Sequence, residues 1–243
     1  MKALLQRFLG VSGGHRVISK QQAAAAQLDA QWQDPELPKK QYQIVENELK
    51  QIASTGRFPA HMQALVEQLQ SVYTEGQSVL EIGCSSGYYS EVLRLAGLKI
   101  NYAGCDYSPA FIEFAKRLYP QLPFQVCDAT QLPYTDQQFD IAVSGCCILH
   151  ILDYPKAVAE TARVAKRYMV FSRTPILHSQ ATTYTKKMGY GLPMIEIFFN
   201  EASLIKQFRA NGFGVLASTT ISQGPKVQGE SSYIKTYLCE RLA

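Results

Sequence analysis

The chain has 243 residues, of which 47% are hydrophobic and 18% are charged, a length that fits one domain with an appendage or at most two small domains. This composition is typical of a globular chain with a sizeable core, which excludes disorder over most of the length. The 24 basic and 20 acidic residues give a net charge of +4. The basic residues are scattered and form no stripe, so we expect no nucleic acid partner.

Membrane, secretory and metal-binding classes are not expected either. No run of eighteen apolar residues is present, and the start, MKALLQRFLGV, is interrupted by Gln6 and Arg7, which does not match a membrane span or a secretory signal. The six cysteines include no C-x-x-C pair, a pattern that indicates buried thiols in a reducing cytoplasm and no zinc site. A homodimer is left open.

Residues 1–60 differ from the rest, because they are rich in glutamine and alanine and predict a helical extension to a domain at 61–243. Two helices are expected, broken near Asp34-Pro35 and Pro38. In the second helix, apolar residues recur at helical spacing at 42, 45, 49 and 52. The extension either packs on the domain or forms a lid over a cofactor.

From residue 78 onwards, strand and helix patterns alternate. The predicted strands are 78–83, 100–106, 123–128, 139–145 and 168–173, and helices are predicted at 86–96, from 108 onwards and at 154–165. Several strands are near-continuous apolar runs, as expected when both faces of a sheet are covered. The alternation therefore predicts a parallel sheet with right-handed crossovers.

The C-terminal part has another pattern. A helix at 201–212 is followed by strands at 213–221 and 231–240, and their short, turn-rich link predicts an antiparallel hairpin. Residues 174–200 are predicted to be a long inserted loop, a kind of segment that is often functional. Its aromatic residues either roof an acceptor site or pad the sheet edge.

Ligands of open α/β sheets bind beyond the carboxyl ends of the strands. The first strand ends in a loop with Gly83 and Gly87, followed by a helix whose free N–H groups suit an anion. The next two strands end in Asp106 and Asp128. Each has a structural alternative: a tight turn for the glycines, a helix cap for Asp106 (a role that Ser108 is predicted to take) and a turn role for Asp128.

Together these segments resemble the class I S-adenosylmethionine-dependent methyltransferases. VLEIGCSSGYY is similar to their first motif, GCDYSPAFIEFAK to the segment after their second strand, and CDATQLPYTDQQFDIAVSGCCILHILD to their third and fourth strand motifs. The resemblance covers about residues 75–173. It implies a Rossmann-like, seven-stranded, mostly parallel sheet with helices on both faces and an antiparallel C-terminal hairpin, with S-adenosylmethionine as cofactor and S-adenosylhomocysteine as product.

The resemblance also implies roles for individual residues. The methionine part of the cofactor is expected near Gly83, Ser85, Gly87 and Cys146, with Glu81 orienting its amino group. The ribose is expected near Asp106 and Tyr107, and the adenine near Asp128 and Ala129. Tyr88 and Ser108 are also expected among the cofactor-binding residues. Two departures stand out. Ser85 replaces the middle glycine of the first motif, and the family's Pro-Gly-Gly turn before the fifth strand is absent.

His150 follows the fourth strand and is our leading candidate for a general base, because its ordinary pKa suits proton transfer near neutrality. A structural histidine is the equal alternative, and His178 and Glu196 are weaker candidates. The expected reaction is O- or N-methylation of a small molecule. RTP followed by a Tyr-Gly segment also resembles a bacterial branch of natural-product or surface-sugar pathways.

Three alternatives to a small-molecule methyltransferase stay open. The chain could be a non-catalytic S-adenosylmethionine-binding or scaffold protein, a methyltransferase for protein or RNA, or a nucleotide-dependent oxidoreductase on a related fold. The glycine loop departs from the G-x-G-x-x-G fingerprint of dinucleotide sites.

Overall fold

The structure is a computed structural model, and it describes residues 14–243. Its helices are α1 (Lys20–Ala25), α2 (Leu37–Thr55), α3 (Ala60–Gln70), α4 (Tyr88–Leu95), α5 (Pro109–Leu118), α6 (Tyr154–Val164) and α7 (Glu201–Ala210), with short 3₁₀ turns at Ala30–Gln33 and Ile148–His150. Its strands are β1 (Arg16–Ile18), β2 (Ser78–Ile82), β3 (Asn101–Asp106), β4 (Phe124–Val126), β5 (Phe139–Gly145), β6 (Ala165–Leu177), β7 (Thr183–Gly189), β8 (Leu192–Asn200), β9 (Phe213–Val227) and β10 (Glu230–Arg241).

Seven of these strands form the predicted central sheet. Their order is β4-β3-β2-β5-β6-β10-β9. Pairing is parallel from β4 to β6, and β10 pairs antiparallel with both β6 and β9. The order reverses between β2 and β5, which places a crevice at the carboxyl ends of these strands. The predicted fold class is confirmed.

Helices cover both faces of the sheet. On β6, Met169 and Phe171 face a core that includes α6 and α7, whereas Tyr168 and Val170 face a second core that includes α2, α3 and α4. This alternation follows the two-residue period of a strand. It explains why consecutive residues of β6, from Tyr168 to Phe171, are all apolar or aromatic and buried.

Residues 174–200 do not form the predicted loop. Strand β6 continues to Leu177, and β7 and β8 then form a hairpin that turns at Tyr190 and Gly191, with φ of 53° and 86°. Positive φ at both central residues is the signature of the turn that suits a two-residue hairpin. Strand β1 pairs with β7, and β8 pairs in parallel with the end of β6, so the insertion widens the sheet.

The C-terminal hairpin is also longer than predicted. The segment SQGPKVQGE was expected to be a link, but Ser222 and Gln223 already pair with β10, and the turn is confined to Gln228 and Gly229. Irregular pairing along β9 and β10 accommodates the glycine and proline of this segment.

The N-terminal extension has its break where the prolines predicted it. Helix α2 begins with Pro38 in its first turn and buries Val45, Leu49 and Ile52, three of the four positions chosen for their helical spacing. The first thirteen residues of the predicted extension lie outside the described residues, and the domain boundary at 60 stays a prediction. Across residues 14–243, none of the helices has the length and hydropathy needed to cross a membrane. All six cysteines are free thiols.

Candidate functional site

A cavity of about 490 Å³ lies at the carboxyl ends of the central strands, a size within the usual range for sites that hold small molecules. Ten of the predicted site residues line it: Glu81, Gly83, Ser85, Tyr88, Asp106, Tyr107, Asp128, Ala129, Cys146 and His150. Gly87 and Ser108 are not among the lining residues. We call the part of the cavity bordered by Glu81, Gly83, Ser85, Asp106 and Asp128 the glycine-loop half.

The loop after β2 depends on backbone conformations that favour glycine. Gly83 and Gly87 have φ of 71° and 73°. A Cβ atom on Gly83 would lie 2.4 Å from the sulfur of Cys147, and one on Gly87 would lie 2.6 Å from the ring of Phe124. Gly87 therefore acts by allowing close packing and not as part of the cavity wall.

Ser85 stands where the first motif of the methyltransferase family has its middle glycine, and its backbone conformation explains that preference. Its φ is 48°, so a residue with a side chain holds a left-handed conformation here, at a cost of roughly 1–2 kcal/mol. The backbone N–H of Ser85 donates to Asp106 over 2.9 Å. That bond stabilises the strained loop conformation.

Asp106 connects two elements around the cavity. Its carboxylate accepts from the backbone N–H groups of Ser85 and of Ser108, the latter over 3.0 Å. The Ser108 hydroxyl makes no hydrogen bond within residues 14–243. Ser108 is the N-cap residue, as predicted, but its side chain makes no capping bond; the Asp106 carboxylate instead binds the backbone N–H of Ser108.

Burial raises the pKa of Asp106 to about 6, although bonds from backbone N–H groups oppose the shift. A carboxylate offers about four acceptor sites, so two remain available to a ligand that approaches from the cavity. Two vicinal hydroxyls would satisfy them.

Glu81 is a buried carboxyl group beside the same loop. It accepts a hydrogen bond from the hydroxyl of Tyr102, and burial raises its pKa well above the ordinary value. The absence of a side chain on Gly145 makes room for it, since a Cβ there would lie 2.9 Å from a Glu81 oxygen. A buried acid of this kind is suited to accept a cationic group from a ligand.

Asp128 has the turn role that was the structural alternative. One of its oxygens accepts from the backbone N–H and the hydroxyl of Thr130, over 2.7 and 2.8 Å. Asp128 nevertheless lines the cavity with Ala129. The turn role and a contact with a ligand are compatible.

His150 lies at the end of a 3₁₀ turn, with its ring centroid 4.8 Å from that of Trp32. Its Nδ1 is 2.7 Å from the backbone oxygen of Ile195 on β8. Since a carbonyl can only accept, Nδ1 carries the hydrogen and Nε2 is the unprotonated nitrogen of the neutral ring. Burial, together with the charge of Lys187, lowers the pKa of His150 to about 4.

Comparison with known proteins finds similarity to methyltransferases. Residues 80–171 match the profile of a methyltransferase domain. A demethylmenaquinone methyltransferase from Paenarthrobacter aurescens is 31% identical over 125 residues, which is 49% of this chain and 48% of the relative. Residues 80–171 are thus similar to the methyltransferase domain of known methyltransferases. The chain spans about half the length of the curated relatives it matches.

Solved structures of this methyltransferase fold are similar over most of the chain. The 1,6-didemethyltoxoflavin-N1-methyltransferase of Burkholderia thailandensis, with its substrate and S-adenosylhomocysteine bound, has a TM-score of 0.56 at 16% identity and covers 95% of this chain and 94% of its own. A [4+2]-cyclase has a TM-score of 0.57 at 19% identity, covering 74% and 81%. At these identities the likeness shows the fold.

The rest of the cavity is built mainly by the insertion at 174–200, for which a place over the acceptor site was one of two interpretations. We call the part bordered by Arg173, Lys187, Tyr190, Met194 and Glu196 the hairpin half, because all but Arg173 come from β7, β8 and their turn. Trp32, the single tryptophan, stands at the predicted break before α2 and could have been noticed in the sequence. No feature of the sequence marked Arg173 or Lys187 as site residues.

The N-terminal extension borders both halves through Asp29, Ala30, Trp32 and Gln41. The hydroxyl of Tyr107, which follows the ribose candidate Asp106, donates to the backbone oxygen of Asp29. This bond ties the extension to the end of β3. The lid interpretation remains a prediction, and the geometry is compatible with it.

The two weaker base candidates have other partners. Glu196 is ion-paired with Lys187 and lies 3.3 Å from His15. Burial opposes its ionisation, but Lys187 and His15 hold the pKa of Glu196 well below its ordinary value. His178 is half exposed, pairs with Glu201 over 3.0 Å, and is not among the residues that line the cavity. Within the described part of the chain, no three histidine, cysteine or acidic side chains are grouped as a metal site.

Proposed function

We propose that this protein transfers the methyl group of S-adenosylmethionine to an oxygen or nitrogen of a small acceptor. The observation that carries the proposal is the arrangement of two buried carboxyl groups, Glu81 and Asp106, at one end of a cavity that extends past the glycine loop to His150. A cofactor that filled the glycine-loop half would leave the hairpin half for the acceptor.

The residues present fit the cofactor. Glu81 has no cationic partner among residues 14–243 and would bind the amino group of the methionine part, while the two free acceptor sites of Asp106 would bind the ribose hydroxyls. The second oxygen of Asp128 makes no hydrogen bond within residues 14–243 and would accept from the adenine amine. When bound, the cofactor supplies an activated sulfonium methyl, so the protein has to align the acceptor and exclude water.

His150 would accept the proton of an acceptor hydroxyl or amine at Nε2. Its bond to the Ile195 carbonyl fixes the tautomer and the ring orientation. Because its pKa is about 4, the ring is neutral at pH 7 and ready to accept, although its basicity is low. A positioned base of this kind contributes roughly 100- to 10,000-fold to a rate.

The extension at residues 14–60 would act as the lid of this site. Trp32 and Gln41 each have a buried polar atom that makes no hydrogen bond within residues 14–243, and both residues line the cavity. Such atoms are costly unless a ligand or water satisfies them. Hydrogen bonding to the acceptor would meet that need.

For the acceptor, the proposal extends to its chemical class and not to one compound. The cavity suits a small molecule, and the toxoflavin enzyme, which the fold resembles, is named for N-methylation of such a molecule. We place the reaction in a natural-product or surface-sugar pathway, with protein and RNA as the lower-ranked acceptors and the cytoplasm as the compartment.

Calorimetry with S-adenosylhomocysteine and with NAD tests the cofactor. We expect binding of the first and not of the second, with affinity for the first reduced at least tenfold in Asp106→Asn. Unchanged affinity in that variant would remove Asp106 from the ribose site.

Turnover is tested by transfer of a labelled methyl group to a metabolite extract. We expect labelled product from the wild type, and a slower rate with unchanged cofactor affinity in His150→Asn. A normal rate in that variant would exclude His150 as the base. Cofactor binding without label transfer to any fraction would instead support the non-catalytic alternative.

A further inference from the structure

Arg173 is a cation in the cavity that lacks an anionic partner. It lines the site, yet it forms no salt bridge and no side-chain hydrogen bond within residues 14–243. The phenols of Tyr88, Tyr89 and Tyr190 are near this charge, and burial raises the pKa of each, so all three are neutral at pH 7. Among the described residues that line the cavity, the other cation is Lys187, which forms an ion pair with Glu196.

The backbone is distorted where it presents this side chain. Phe171 pairs with Tyr237, and Thr174 pairs with Lys235, so two residues of β6 lie opposite one residue of β10. This is a β-bulge, a device that redirects a side chain and is frequent next to active sites. Arg173 itself has φ of 57°, a conformation in which glycine would be less strained.

We propose that Arg173 binds an oxyanion of the methyl acceptor, a carboxylate or a phosphate, and so restricts the substrates of this protein to acidic small molecules. The inference rests on the proposed function and assigns the chemistry of its acceptor. A guanidinium presents two parallel N–H donors that match a carboxylate or a phosphate. Its position fits this role, because it borders the hairpin half together with Tyr190, in the same cavity that Tyr88 and Cys146 line.

The cofactor has a carboxylate of its own, so the experiment has to separate the two sources. The first set of titrations compares S-adenosylhomocysteine with 5′-methylthioadenosine, which lacks the amino acid part, on the wild type and on Arg173→Met. We expect both affinities to change less than threefold. A tenfold loss for S-adenosylhomocysteine alone would assign Arg173 to the cofactor and overturn the proposal.

The second set uses anionic probes on protein saturated with S-adenosylhomocysteine. Benzoate represents a carboxylate on an apolar body, and inorganic phosphate represents a phosphate group. We expect at least one probe to bind the wild type, to bind Arg173→Met at least tenfold more weakly, and to bind Arg173→Lys with intermediate affinity, because lysine keeps the charge and loses the paired donors. Absence of any Arg173-dependent binding would overturn the proposal.

A matched control is Arg167→Met, six residues earlier on the same strand, where the arginine is exposed and pairs with Glu240 over 3.1 Å. Its probe affinity should equal that of the wild type. The melting temperature of Arg173→Met should equal or exceed that of the wild type, since the variant removes a half-buried charge that has no ion pair within residues 14–243. A lower melting temperature with unchanged probe binding would show a structural arginine and refute the site.

The two failures can be told apart. If S-adenosylhomocysteine does not bind the wild type, the proposed function fails, and the probes are then titrated on the ligand-free protein. If S-adenosylhomocysteine binds while neither probe depends on Arg173, only the present inference fails.

Discussion

Replacing Gly83 with alanine should lower the unfolding free energy more than the same change at Gly97, and the difference can be calculated from the atoms around each glycine. Both glycines have a positive φ, 71° and 78°. Alanine in that conformation costs roughly 1–2 kcal/mol. A Cβ on Gly97 would meet no atom within 4 Å, whereas a Cβ on Gly83 would lie 2.4 Å from Cys147 Sγ and 2.6 Å from Cys147 Cβ.

The contact with Cys147 cannot be relieved by a side-chain rotation alone, because the Cβ atom moves only with its backbone. Overpacking of this kind typically costs about 1–3 kcal/mol. The expected loss of unfolding free energy is therefore roughly 2–5 kcal/mol for Gly83→Ala, against roughly 1–2 kcal/mol for Gly97→Ala. In a domain of this size, 1 kcal/mol lowers the melting temperature by about 2–4 °C.

Thermal unfolding followed by circular dichroism should thus place Gly83→Ala about 2–12 °C below Gly97→Ala. A second substitution, Cys147→Gly, removes both clashing atoms and should recover part of the loss only in the Gly83→Ala background. Equal melting temperatures for the two alanine variants, or equal effects of Cys147→Gly in both backgrounds, would refute the packing argument.

Three further predictions concern other parts of the molecule. The pKa of His150 is lowered to about 4 in the folded protein, so between pH 6.5 and pH 4 the unfolded chain binds more protons than the folded one. As the pH falls through this range, His150 removes up to roughly 3 kcal/mol of stability, and it has no effect above pH 6.5. Denaturant titrations at pH 7 and pH 4.5 should therefore show a smaller loss of unfolding free energy in His150→Asn than in the wild type. Arg241→Met removes hydrogen bonds to three backbone carbonyls around the end of α6 and should cost roughly 1.5–3 kcal/mol in urea unfolding, whereas an unchanged midpoint would show that water replaces them. Trp32 is the single tryptophan and lines the cavity, so its fluorescence should change on titration with S-adenosylhomocysteine, and a flat emission signal despite binding by calorimetry would place the ligand away from this ring.

The central sheet and the glycine-loop half could be predicted because their signals are local. A run such as Val79–Ile82 is apolar or buried throughout, and the chemistry lies at the strand ends, where Gly83 and Asp106 follow directly. The individual hydrogen bonds were not predictable in this way. Ser108 is the N-cap residue, as predicted, but the sequence does not show that its hydroxyl makes no capping bond and that the Asp106 carboxylate binds its N–H.

One interpretation of residues 174–200 placed them over the acceptor site, but a loop was predicted there and not a hairpin. Strand β7 buries Thr183 and Thr185, so its inward positions are polar and the apolar alternation that identifies a strand is absent. Their hydroxyls are satisfied by the backbone oxygens of Ala181 and Glu196. Burial of a hydrogen-bonded threonine is invisible to a search for hydrophobic periodicity, although the Tyr190-Gly191 pair was an available turn signal.

The two halves of the cavity differ in whether the match to the methyltransferase profile covers them. The methyltransferase profile ends at residue 171, and the chain has Arg173 two residues beyond, followed by the hairpin with Lys187, Tyr190 and Glu196. The residues matched to the family thus form the glycine-loop half, and the residues that border the other half lie outside the match. A relative that shares residues 80–171 therefore carries information on the glycine-loop half, while the residues that border the hairpin half lie outside the shared segment. The charge of Arg173 and the shape given by the hairpin are for this reason the features from which the acceptor should be sought.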